Sequence, residues 1–198
     1  MGKKKNTIPF HKFMGFPAFV GVQAAALLII APFIPFTPEA LGKGLMTWAV
    51  FQAWAMYFLG GATINMAFKT MAGYVGGIIA SVILIELGGV FSGLNTPAVA
   101  WGTVLVVFFV AFLIISADRV PSINFLPSYF IGSGAYFAIM TYVPRPESIG
   151  AYTWYFQVAV PLLISAAAGL IFGWGTVYFK TWFDSKIKEE PDRLNEAA

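Results

Sequence analysis

Cysteine is absent from the 198 residues, histidine occurs once, and Asp, Glu, Lys and Arg together make up only 11%. The missing thiols exclude a disulfide framework, a cysteine nucleophile, an iron–sulfur cluster and a thiolate zinc site. The lone histidine, His11, lies before the first apolar run beside Lys12, with no second imidazole to complete a metal site. No Ser-His-Asp set, phosphate-binding glycine loop or pair of carboxylates is visible, so no catalytic residue and no cofactor is assigned and an enzyme is not expected. The scarcity of charge excludes an ordinary cytosolic domain, which is nearer a quarter charged. A computed pI near 9.1 rests on a net charge of only +3, spread over chain ends and loops, so nucleic acid is not an expected partner.

What remains is apolar: 59% of the residues, with a mean hydropathy of +0.77. A compact body of this size cannot hide that much apolar surface from water. A bilayer core about 30 Å thick needs roughly 20 apolar helical residues per crossing. Six stretches qualify: Pro17–Phe36, Leu45–Ala67, Thr70–Phe91, Ala98–Ala117, Ile123–Val143 and Tyr152–Phe179. Runs such as Val104–Ile115 lack the strict alternation of barrel strands and suit helices in lipid. The expected fold is therefore all-α, a polytopic membrane protein with six transmembrane helices. It divides into a basic segment 1–16, a membrane domain 17–179 and a charged tail 180–198. The first run ends in Pro-Phe-Ile-Pro-Phe without a small-x-small cleavage pattern, so it is read as a retained span. Only Phe68 and Lys69 separate the second and third stretches, which predicts a tight hairpin there. The sixth must tilt, bend near Pro161 or extend past the hydrocarbon.

Six crossings place both termini on one side. Ten of the twelve Lys and Arg residues fall there, and only Lys43 and Arg145 fall on the other. The positive-inside rule makes the majority side cytoplasmic. The tail either begins as an interfacial helix carrying Trp182, Phe183 and Ile187 or is a solvated extension.

Tyr57-Phe58-Leu59-Gly60-Gly61-Ala62 echoes Tyr129-Phe130-Ile131-Gly132-Ser133-Gly134-Ala135. A repeat of three spans inverts by necessity, and inverted repeats carry solute paths at the midplane. The echo suggests a 3+3 inverted repeat; shared Gly- and Phe-rich composition accounts for it as well. Small residues four apart, Gly73 and Gly77 in the third span and Ser165, Gly169 and Gly173 in the sixth, predict close helix packing within or between subunits. Glu86, deep in the third span, either couples or orients a solute inside the membrane or reaches the extracytoplasmic interface and Lys43. The other intramembrane polar groups are neutral. Candidates to line a path are Gly60, Gly61, Asn65, Asn124, Pro127, Ser128, Gly132 and Gly134.

The segment Phe125-x-Pro127-x-x-Phe130-Ile131-Gly132-x-x-Ala135-x-Phe137-Ala138 resembles a signature of the YcdZ-like bacterial inner-membrane proteins, a family of unknown function. Tyr57, Phe58, Gly60, Gly61, Lys69 and Gly76 resemble that family's first-half positions. The resemblance implies a bacterial inner-membrane protein and brings no established site residues. The expected function is a channel or transporter-like protein for a small, polar, neutral solute, built as a homo-oligomer in the lipid bilayer. The alternative is an accessory or scaffold subunit that binds other membrane proteins without a pore. A pigment or quinone role would draw on the 17% aromatic content, which Phe-rich spans use mainly for lipid and core contacts.

Overall fold

The computed structural model describes residues 10–35, 37–42 and 44–196, with side chains except at 11, 12 and 188–196. The basic cluster Lys3–Lys5, Lys43 and the side chains of His11, Lys12, Lys188 and Arg193 lie outside the described residues. The fold is all-α and 81% helical. After a single turn at Phe10–Phe13 come α1 (Gly15–Ile30), α2 (Thr47–Leu59), α3 (Ile64–Val90), α4 (Trp101–Ser116), α5 (Leu126–Tyr142) and α6 (Ala151–Glu196).

Four of the six are long and apolar enough to cross a bilayer: Gly15–Phe33, Ile64–Leu94, Trp101–Arg119 and Ala151–Ile187. The other two, α2 and α5, are shorter than those runs, the least of which has 19 residues with its 3₁₀ turn included. At 1.5 Å rise per residue, the 13 residues of α2 extend about 20 Å and the 17 of α5 about 26 Å.

The hairpin between the second and third stretches is earlier than the apolar pattern places it. It lies at Gly60–Thr63, not Phe68–Lys69, and α3 therefore begins at Ile64. Gly61 has φ +88° and Ala62 φ 58°, a left-handed pair that glycine starts without a Cβ penalty. Thr63 then caps α3, its hydroxyl accepting from the Met66 amide at 3.2 Å. Helix α6 runs without interruption through Pro161 and past Phe179 to Glu196, in keeping with the expected extension of the longest stretch.

Packing is dominated by two pairs, α3 against α5 and α2 against α6. Each is built on close backbone approach. A methyl at Gly77 would meet the backbone of Tyr129, Gly132 and Ser133; one at Gly169 would meet Val50, Ala53 and Trp54. These two contact sets are separated by a constant 79 positions, the same offset that carries the first residue of α2, Thr47, to that of α5, Leu126. On the other helix of each pair, Gly73, Gly77 and Ser81 correspond to Ser165, Gly169 and Gly173, each 92 positions on. Helices α1 and α4 both have 16 residues and both end in a three-residue 3₁₀ turn, Ala31–Phe33 and Ala117–Arg119.

Directions follow from the same contacts. Met46 meets Ser165 and Tyr57 meets Gly173, so α2 and α6 run the same way. Gly73 meets Ser128 and Gly77 meets Gly132, so α3 and α5 also run the same way. Helices α3 and α6 are antiparallel, with Glu86 at Tyr155 and Tyr74 packed with Ala166 and Leu170.

Candidate functional site

The core between these helices is mostly apolar, and its polar groups fall into separate knots. On one side, the Trp54 indole donates to Thr176 Oγ1 at 3.1 Å. That hydroxyl can donate in turn to Gln23 Oε1 at 2.8 Å or to the Phe172 carbonyl at 2.9 Å, tying α1, α2 and α6 together. On the other side, the Ser81 and Ser133 hydroxyls meet at 2.8 Å between α3 and α5. Both knots satisfy polar groups that lipid or a dry core would otherwise strand.

Tyr74 is different. It lies on α3 between Gly73 and Gly77, fully buried at the seam where α2, α3, α5 and α6 converge. Its hydroxyl has no partner among the described residues. Gly132 rests on the Tyr74 backbone, which is why no side chain can stand at that position of α5. A buried hydroxyl without a partner costs roughly 1–3 kcal/mol, so the site calls for a water or a polar guest. Gln157 Oε1, on α6, is the second such atom. Pro161 cannot donate an amide to the carbonyl four residues earlier, which is that of Gln157, so two acceptors meet on one residue. Gln157 borders a cleft of about 710 Å³ whose other walls include Pro35, Thr37, Tyr152 and Pro161.

The sequence-predicted path residues separate into three places. Gly60 and Gly61 form the α2–α3 turn, and exposed Asn65 follows in the first turn of α3. Asn124 sits just before α5, where its Oδ1 accepts from Lys69 Nζ at 2.9 Å. Pro127 and Ser128 open α5, with the Ser128 hydroxyl donating to the Phe125 carbonyl at 2.7 Å. Gly132 faces Tyr74, whereas Gly134 has open space around it. Of these eight, Gly132 packs directly on the Tyr74 backbone. The echoed stretches lie at opposite ends of their helices, Tyr57 near the end of α2 and Tyr129 at the start of α5. The contact correspondence instead pairs Tyr57 with Tyr136, both buried.

Glu86 is exposed near the end of α3, and the Tyr155 hydroxyl donates to its Oε1 at 2.6 Å. Sequence reasoning did not find Tyr155, which is 69 positions away. It also passed over Tyr74, although a tyrosine between two packing glycines is a legible signal, since its polar tip must be accommodated where backbones touch.

One family model matches the chain, over residues 20–181, and its description is "protein of unknown function (DUF1097)". The chain belongs to the DUF1097 family. The match takes in all of α2 to α5, most of α1 and α6 as far as Thr181, so both tight helix pairs are family territory. No curated protein and no solved structure matches the chain. Membership of DUF1097 adds no chemistry, and the site rests on the residues described above.

Proposed function

We propose that this protein carries a small, polar, neutral solute across a membrane along the seam between two inversely oriented three-helix halves. The halves are α1–α3 and α4–α6. Their support is the shared contact scheme: α2 on α6 repeats α5 on α3, with each pair parallel and the two pairs antiparallel to one another. In this reading all six helices cross, both termini are cytoplasmic, and in a bacterial cell the membrane is the inner one. Subunits associate through the lipid-exposed faces. No bond-making step is assigned to the chain.

The observation that carries the reading is the unpartnered hydroxyl of fully buried Tyr74 at the junction of the halves. Helices α2 and α5, the two without a continuous helical run of 18 residues or more, occupy corresponding positions on either side of it. Short or broken segments in matching positions of two halves are the best sequence pointer to a transporter's binding site. A neutral solute suits the seam because the side chains packed with Tyr74 there, Ala53, Tyr57, Ala166 and Leu170, carry no charge. Hydrogen bonds to tyrosine and amide groups can replace hydration without a counter-charge.

The test is stopped-flow swelling of reconstituted vesicles with urea, glycerol and short neutral amides. Wild-type protein should raise the permeability of at least one of them above empty vesicles. Tyr74→Phe, which keeps the ring and removes only the hydroxyl, should change that permeability several-fold while the protein remains folded. Absence of flux for every solute defeats the proposal.

A further inference from the structure

A cavity of about 340 Å³ lies between α3 and α6, walled by Ile79, Val82 and Ile83 on one side and Tyr152, Tyr155 and Phe156 on the other. The wall positions recur at helical spacing on both helices, so each presents one continuous stripe. Glu86 extends the α3 stripe by a further turn, and Tyr155 holds its carboxylate at that end by the 2.6 Å hydrogen bond. Among the described residues, no cation pairs with Glu86. Arg145 lies in the α5–α6 loop, which leads into the first turns of α6 where Tyr155 stands, so a positive charge belongs to the same end.

We infer that this groove binds a phospholipid with a primary-ammonium headgroup, its acyl chain between the two stripes and its ammonium on Glu86. The inference is independent of solute transport. An apolar groove beside lipid fills with an acyl chain, and the occupant's head is then decided by the charges at the mouth. A carboxylate near the end of a membrane helix is stabilised by a cation at the interface. An ammonium headgroup supplies one with donors for a charge-assisted hydrogen bond. The headgroup phosphate finds Arg145 on the same side, whereas an anionic glycerol headgroup would leave Glu86 facing a negative charge. The faces of Tyr152 and Tyr155, whose ring centroids are 6.1 Å apart, add cation–π attraction.

The full chain in detergent would be mixed with equal amounts of phosphatidylethanolamine, phosphatidylcholine and phosphatidylglycerol and read by native mass spectrometry. Wild-type protein should retain phosphatidylethanolamine several-fold over the other two, a comparison that needs no variant. Glu86→Gln should lower that retention about tenfold and leave phosphatidylglycerol unchanged, and Ala159→Phe, which enlarges a residue of the α6 wall to fill the groove, should remove the bound lipid. Equal retention of the three lipids by wild-type protein, or a Glu86→Gln protein indistinguishable from it, overturns the inference and leaves a groove for acyl chains of any headgroup.

Discussion

The backbone amide of Met46 donates to the hydroxyl of Ser165 at 3.0 Å, across 119 positions of sequence. Met46 precedes α2 and provides no cap of its own, so a serine from another helix satisfies one of the helix's first free amides. Ser165 is fully buried, leaving no water to replace it. Ser165→Ala should therefore lower the thermal midpoint in detergent, at a cost of about 1 kcal/mol. Thr181→Ala, which removes an exposed hydroxyl bonded only within its own helix, should leave the midpoint unchanged.

Gly77 and Gly169 occupy equivalent places in the two tight pairs, and a side chain at either collides with the backbone of the facing helix. Backbone cannot rotate away as a side chain can, so the helices must separate and lose their shared contacts. Gly77→Ala and Gly169→Ala should each destabilise the protein by about 1–3 kcal/mol, to similar extents. Gly134→Ala and Gly89→Ala are the controls: nothing lies within 4 Å of either new methyl, and alanine is the better helix former. Denaturant midpoints of the four proteins would check the ranking.

The helices were legible because apolar length is written locally. Each of the six predicted stretches falls mainly on one helix of the fold, although α1, α3 and α6 run beyond theirs. Apolarity did not mark the turn between α2 and α3, since Ala62, Ile64 and Met66 are as compatible with lipid as the helix interiors. Gly60-Gly61 and the capping Thr63 carry that information. Long-range pairing was less legible. Small residues at intervals of four mark a face meant for close approach, yet they do not say which helix will meet it. That Gly73 and Gly77 meet α5 while Gly169 and Gly173 meet α2 depends on backbone shape along entire helices. Glu86 shows the same limit: its polarity demanded a partner, and only the antiparallel course of α3 and α6 brings Tyr155 to it.

Because the chain has no cysteine, introduced pairs report proximity without background. The Ser81 and Ser133 hydroxyls are 2.8 Å apart, within reach of a bond of about 2.05 Å after modest rotation of the side chains. The double variant Ser81→Cys/Ser133→Cys should cross-link within the chain under mild oxidation, seen as a faster-migrating monomer on a non-reducing gel. Ser81→Cys/Gly134→Cys should not, because position 134 is exposed and faces away from α3. A negative result for the first pair would contradict the α3–α5 packing on which the correspondence of the two halves depends.

The lengths of α2 and α5 make their crossing the decisive feature of the topology. At about 20 and 26 Å they fall short of a hydrocarbon core of about 30 Å. The membrane can thin to meet short helices, or flanking residues can fill the difference, at a modest cost per ångström. If both helices cross, Glu39 and Ile64 lie on opposite sides, and so do Ser122 and Ser148. All four are exposed and close to helix ends. Single variants Glu39→Cys, Ile64→Cys, Ser122→Cys and Ser148→Cys would be treated with an impermeant thiol reagent on intact cells and on inverted vesicles. Positions 39 and 148 should label from outside and positions 64 and 122 only in inverted vesicles, matching the side on which Lys69 and Arg119 place their charge. Labelling of 122 and 148 from the same side would turn α5 into a re-entrant element, put the two chain ends in different compartments and remove the mirrored halves from which the solute path is argued.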